Sequence, residues 1–177
     1  MYKKILVPLD GSPLAECALP HVEQVALKGN ESEVILVSVT ELMKLGHVFY
    51  DPHSPSLDSV GDSAISGYAA PADVTGAYSA VEEAVGKMEN QAQAYLERIS
   101  GDLKEKGIKA KVKVLKGEPA HEIVSYAEDN GCDIIVMASH GRSGPTRWAL
   151  GSISDKVFRS CCVPVLMVRG PGCALKK

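Results

Sequence analysis

Asp133-Ile134-Ile135-Val136-Met137-Ala138-Ser139-His140-Gly141-Arg142-Ser143-Gly144 is the stretch that decides the fold. Its first half is the most apolar run of the chain and has no polar alternation. Such a run suits a strand covered on both faces, the situation of a parallel sheet. Its second half opens a glycine-rich loop, Ser139 to Gly151, and a helix starts near Ser152 with Ile153, Val157, Phe158 and Cys161 on its apolar side. A closing strand, Val163 to Val168, follows, and the tail from Gly170 is expected to fray.

Upstream, the same alternation repeats. Lys4 to Leu9 reads as a buried strand ended by Asp10-Gly11-Ser12-Pro13, where Gly11 supplies the turn, Ser12 the helix cap and Pro13 the first helical position. Leu14, Ala18, Leu19, Val22 and Val25 recur at helical spacing, with a kink expected at Pro20. Val34 to Val39 is a second buried strand. Residues 41–80 have no sustained period and read as a long insertion with short helical pieces, packed through Phe49, Tyr50, Tyr68 and Tyr78. From Val81 a stripe of Val85, Met88, Ala92, Tyr95, Leu96, Ile99 and Leu103 predicts a helix that Gly107 ends. Ala110 to Leu115 alternates with Lys109, Lys111 and Lys113, an edge strand guarded by charge. Gly117-Glu118-Pro119 opens a further helix carrying Ile123, Val124 and Ala127. Strands alternating with helices imply right-handed crossovers and an open five-stranded parallel sheet with helices on both faces. Residues 1–170 read as one domain interrupted by the insertion, and 171–177 as a C-terminal tail.

The totals exclude several classes. The chain has 177 residues, 45% hydrophobic and 23% charged, with a formal net charge of −3. That is ordinary globular composition, and the spread basic residues form no stripe for a nucleic-acid duplex. The apolar runs are too short for a signal sequence or a membrane span. The five cysteines include no C-x-x-C, so they read as free thiols in a reducing compartment and the chain as cytoplasmic.

Ligands of open parallel sheets sit beyond the carboxyl ends of the strands, at a topological switch point. Two strand ends carry unusual residues: Asp10-Gly11-Ser12, and Ala138 through Gly144. The second runs on to Gly151-Ser152 at a helix start, where unpaired N–H groups and the helix dipole favour an anion. Glycines permit close backbone approach, and Arg142 and Arg147 add positive charge. The expected ligand bears phosphate. Plainer roles stand beside this one. Asp10-Gly11-Ser12 also makes a turn and cap, and Ser152 with Asp155 matches a capping box. His140 reads as a loop hydrogen-bonder, Trp148 as a loop anchor, and Cys161-Cys162 as packing at a helix end. His47, Asp51 and His53 are too loosely spaced for a metal site. The chain has no G-x-x-x-x-G-K-[ST], no G-x-G-x-x-G after the first strand, and no S-G-G-x-D-S.

From end to end apart from the insertion, these segments resemble the universal stress protein family. The resemblance lies in Lys3 to Ser12, Gly117-Glu118-Pro119, Asp133 to Arg142, Gly151-Ser152 and Val163 to Val168. The family's ATP-binding branch carries G-x2-G-x9-G-[ST], matched here by Ala138-x2-Gly141-x9-Gly151-Ser152, with alanine for the first glycine. One methyl group obstructs only if that residue needs a positive φ. The resemblance implies a Rossmann-like sheet of the adenine nucleotide alpha hydrolase-like type, strand order 3-2-1-4-5, with strands one and four adjacent. It implies Asp10 at the ribose, Pro8 and Val39 at the adenine, Met137 and Ala138 along base and sugar, and Gly141, Arg142, Gly151, Ser152 and Ile153 at the phosphates. It further implies ATP as ligand (AMP or ADP as alternatives), Mg with the nucleotide, and a homodimer through Val165, Leu166, Met167 and Val168. The expected function is a nucleotide-binding stress-response regulator signalling to a protein partner. A slow ATPase or phosphotransferase is the alternative, with Asp10 and His140 as the only candidate bases. So is an interaction module that has lost the nucleotide.

Overall fold

The computed structural model describes residues 2–27, 32–40, 44–45, 48–49, 74–139 and 150–170. Its main sheet has five strands: β1 (Lys4–Pro8), β2 (Glu33–Thr40), β5 (Lys109–Lys116), β6 (Ile134–Ala138) and β7 (Val165–Val168). They are hydrogen-bonded in the order β5-β2-β1-β6-β7, all parallel. Taken along the chain, that is 3-2-1-4-5, as expected. Leu6 at the centre pairs with Ile35 on one side and Ile135 on the other. The switch point therefore falls between β1 and β6, whose crossovers leave in opposite directions.

Strand alternation sends side chains to two cores. Ile5, Val7, Val34, Leu36 and Val136 meet Val22, Leu96, Ile99 and Leu103 on one face. Leu6, Ile35, Val37, Ile135 and Met137 meet Ile123, Ala127 and Val157 on the other. The first face is covered by α1 (Pro13–Glu16), α2 (Leu19–Leu27) and α3 (Val74–Glu105), the second by α4 (Pro119–Asp129) and α5 (Ser152–Ser160).

Several local expectations hold for the stated reasons. The Ser12 hydroxyl accepts from the Ala15 N–H at 3.1 Å, with Pro13 opening α1. Gly107 has φ 78° and ends the helical turn that Ile108 N–H closes back on Leu103 O. Glu118 caps α4 by accepting from His121 N–H at 2.7 Å. Lys109, Lys111 and Lys113 are exposed along the edge strand β5.

Other elements differ. The helix expected to kink at Pro20 is broken two residues earlier, between Glu16 and Leu19. Pro20 then occupies the first turn of α2, where its missing N–H costs no hydrogen bond. α3 starts at Val74, seven residues before the apolar stripe; once the helix is nucleated, each further residue adds a hydrogen bond without a new nucleation cost. Within the insertion, β3 (Lys44–Leu45) and β4 (Val48–Phe49) pair antiparallel, not as a helical piece. The closing strand is shorter than expected: Pro164 lies outside the ladder, though its carbonyl accepts from Ile135 N–H at 2.9 Å. Cys161 is half-buried at the end of α5, but Cys162 is exposed. Most of the insertion, Tyr50 and Tyr68 included, and the tail lie outside the described residues.

Asp133 ties the start of β6 to β1. One carboxylate oxygen accepts from both Lys3 N–H and Lys4 N–H at 2.8 Å. Those two bonds hold its carboxyl below the usual carboxylate range. Its contribution to stability is therefore full above about pH 4, the unfolded value, and lost as pH falls through the lower folded one. Asp133→Asn is expected to cost about 1 kcal/mol or less at pH 7, since the site is exposed. Denaturant titrations of the two proteins should converge as pH falls through the lower folded value.

Candidate functional site

A crevice of about 770 Å³ lies beyond the carboxyl ends of β1, β2 and β6. Pro8, Asp10, Val39, Met137, Ala138, Gly151, Ser152 and Ile153, drawn from four separate parts of the sequence, all line it. Gly141 and Arg142 lie outside the described residues, as do His140, Arg147, Trp148, His47, Asp51 and His53.

The β1 side is built by a tight turn. Gly11 has φ 80°, a conformation that favours glycine. The turn lets Asp10 Oδ1 accept from Ser12 N–H at 3.0 Å, which fixes the carboxylate at the strand end. On the β2 side, Thr40 Oγ1 donates to Leu115 O at 3.2 Å, while Thr40 O accepts from Gly117 N–H at 3.1 Å. These bonds anchor the end of β2 beside Val39.

The β6 side carries the helix start. Gly151, at φ −60° and ψ 151°, is the N-cap of α5 and offers no side-chain cap. Ser152 is the first helical residue and is exposed. The expected capping box is thus absent: Asp155 instead pairs with Arg159 at 2.9 Å, and the Ser152 hydroxyl does not serve the helix. Ser154, which sequence reasoning passed over, does the tying. Its buried hydroxyl lies 2.7 Å from Ser139 O and 2.9 Å from Gly151 O, while Gly151 N–H donates to Ser139 O at 2.8 Å. The first helical N–H bond back to Gly151 O comes from Asp155. The N–H groups of Ser152, Ile153 and Ser154 precede it and have no acceptor inside the helix. They lie at the positive end of the helix dipole, in the crevice wall.

Ala138 is the last residue of β6 and pairs with Val168. It is an ordinary extended strand residue, so its methyl group imposes no backbone strain. Ala138→Gly is expected to lower stability by about 0.5–1 kcal/mol through added chain freedom, as thermal unfolding of the pair checks.

The sequence reading also missed a wall from α3. Met88, Gln91, Ala92 and Tyr95 line the crevice, together with Ser38 and Thr40 from β2 and Pro119 and Ile123 from α4. Spacing of three and four places the α3 residues on one helix face, which resembles a core stripe in sequence. Among the described residues, no group of three or more His, Cys, Asp or Glu could hold a metal ion. No described helix is long and apolar enough to cross a membrane.

An open parallel sheet with a crevice at its switch point and a helix start without a side-chain cap in the wall defines an α/β protein of the doubly wound class. The universal stress protein family pattern matches residues 1–169, and the chain belongs to that family. It is 35% identical over 173 residues to universal stress protein MJ0577 of Methanocaldococcus jannaschii, covering 96% of each chain. It is 30% identical to universal stress protein YxiE of Bacillus subtilis, covering 96% of this chain and all of that one. The solved structure of MJ0577 superposes with a TM-score of 0.69 over 96% of both chains. A universal stress protein solved in complex with cAMP shares the fold, at 22% identity and a TM-score of 0.59 over 94% of this chain and 97% of that one.

Proposed function

We propose that the protein is a stress-response regulator that binds an adenine nucleotide, ATP foremost, in the crevice between β1 and β6. The observation that carries this reading is the uncapped start of α5. Ser152, Ile153 and Ser154, whose N–H groups have no acceptor inside the helix, line the same crevice as Asp10 across the switch point. A phosphate at the helix start and a ribose at Asp10 divide the crevice between an anion site and a hydroxyl acceptor. Pro8, Val39 and Met137 supply apolar surface for the base. The cAMP-bound relative shows an adenine nucleotide on the same fold and supports the reading. Mg would arrive with the nucleotide, on its phosphates.

In the regulator so proposed, a homodimer through β7 presents the nucleotide state to a protein partner. The deciding experiment is to purify the chain, denature it, and chromatograph the released small molecules. Calorimetric titration with ATP, ADP and AMP then follows. ATP binding at micromolar affinity is the expected result. A folded chain that releases no nucleotide and binds none would leave it an interaction module.

A further inference from the structure

Tyr95 lines the crevice from α3, one helical turn beyond Gln91. Its hydroxyl is buried and makes no hydrogen bond of good geometry; the Glu16 carboxylate is near enough to attract it only as a weak acceptor. A buried phenol hydroxyl ordinarily has a partner, because leaving it without one forfeits its hydration for nothing. The ring is braced from outside. The Arg98 guanidinium stands 5.5 Å from the ring centroid, and Arg98 is paired at 3.1 Å with Glu16, just beyond the Asp10 turn. Burial raises the phenol above its ordinary pKa; the Glu16 carboxylate raises it further, by its charge and by its pull on the phenol proton, Arg98 acts against it, and Asp10 adds a little. The hydroxyl is thus a neutral group that can both donate and accept.

Its position selects among the parts of a nucleotide. α3 packs on β2 and β5, on the opposite side of the sheet from α5, whose start offers the anion site. Tyr95 therefore approaches the crevice from the side of Asp10 and the β1–β2 ends, away from the phosphates. A neutral donor-acceptor beside a carboxylate matches a sugar hydroxyl, which itself both donates and accepts.

We propose that Tyr95 is a specificity residue for the ribose: on binding, its hydroxyl takes a sugar hydroxyl as the well-placed partner it otherwise lacks, sharing the sugar edge with Asp10. The inference rests on the crevice holding an adenine nucleotide.

Tyr95→Phe keeps the ring and the Arg98 contact and deletes only the hydroxyl. Calorimetric titrations of the full chain and of this variant with ATP, 2′-deoxy-ATP and 3′-deoxy-ATP test the inference. The parent is expected to favour ATP over at least one deoxy analogue by about fivefold, the scale of one net hydrogen bond. In the variant that preference should shrink to within about twofold, through weaker ATP binding, with the deoxy analogue bound as before. The ligand-free melting temperature should stay near the parent's, because the variant removes a buried polar group that only a weak acceptor serves. A variant that keeps the parent's preference overturns the inference, as does a parent that shows none. Equal loss of all three ligands with a lowered melting temperature assigns Tyr95 a structural role instead. A parent that binds no adenine nucleotide overturns the crevice reading, and this inference with it.

Discussion

With ATP bound as proposed, Gly151→Val is expected to lower its affinity by about 100-fold or more while the protein stays folded, and Ser152→Ala only about fivefold. The asymmetry follows from geometry. Gly151 sits at φ −60° and ψ 151°, a region every residue adopts, so valine strains no backbone there. Its glycine identity matters instead for approach: a β-branched side chain at the N-cap screens the N–H groups of Ser152, Ile153 and Ser154 from a phosphate. Bonds from such groups to a charged ligand are worth about 1.5–3 kcal/mol each, so losing two of them costs at least about 100-fold. The serine change removes one exposed hydroxyl, about 1 kcal/mol net and hence about fivefold. Circular dichroism guards the fold, since valine is a poor N-cap and should cost about 1 kcal/mol of helix stability. Parent-like binding by both folded variants would remove the phosphates from the start of α5.

What the sequence made legible was whatever follows a short period. Ile134 to Met137 and Val34 to Val39 announce buried strands by composition alone, and the two cores follow from their alternation. The strand order came from family resemblance, because residue pattern by itself leaves open which strand neighbours β1. Asp10 and Gly151-Ser152 were legible because turn chemistry marks them and breaks the periods around them, whereas Pro8, Val39, Met137 and Ile153 came from the family resemblance. The α3 wall was not legible. Met88, Ala92 and Tyr95 continue the stripe of Leu96, Ile99 and Leu103, yet only the latter three are buried. A helix longer than the strands it covers carries its apolar face past the sheet end, and one-dimensional spacing does not mark where core becomes crevice wall. Ser154 escaped notice for a related reason. A serine inside a helix start resembles its neighbours until the carbonyls of Ser139 and Gly151 are seen to converge on it.

Leu166→Lys is expected to convert the proposed homodimer to monomer at micromolar concentration, as read by light scattering or sedimentation. β7 lies at the sheet edge, bonded to β6 on one side only. Its other side presents backbone N–H and C=O groups, and the strand carries no charge from Val165 to Val168. The opposite edge, β5, is guarded by Lys109, Lys111 and Lys113, whereas an apolar edge left bare invites pairing. A two-fold axis running through β7 would join two copies antiparallel and satisfy both edges at once. The four residues divide by face. Val165 and Met167 pack against the core beneath α4 and α5, and Val168 belongs to the opposite core. Leu166 alone is exposed, at 37%, so it is the side chain most open to a partner copy. Lysine there adds like charges near the axis and desolvates an ammonium group, and the cost far exceeds the lost apolar contact. Met167→Lys instead places its charge against the protein's own core and should lower the melting temperature of the monomer itself. The pair therefore separates interface from fold: loss of dimer without loss of stability at Leu166, loss of stability at Met167. A parent that sediments as a monomer, or a dimer that survives Leu166→Lys unchanged, places the assembly surface elsewhere.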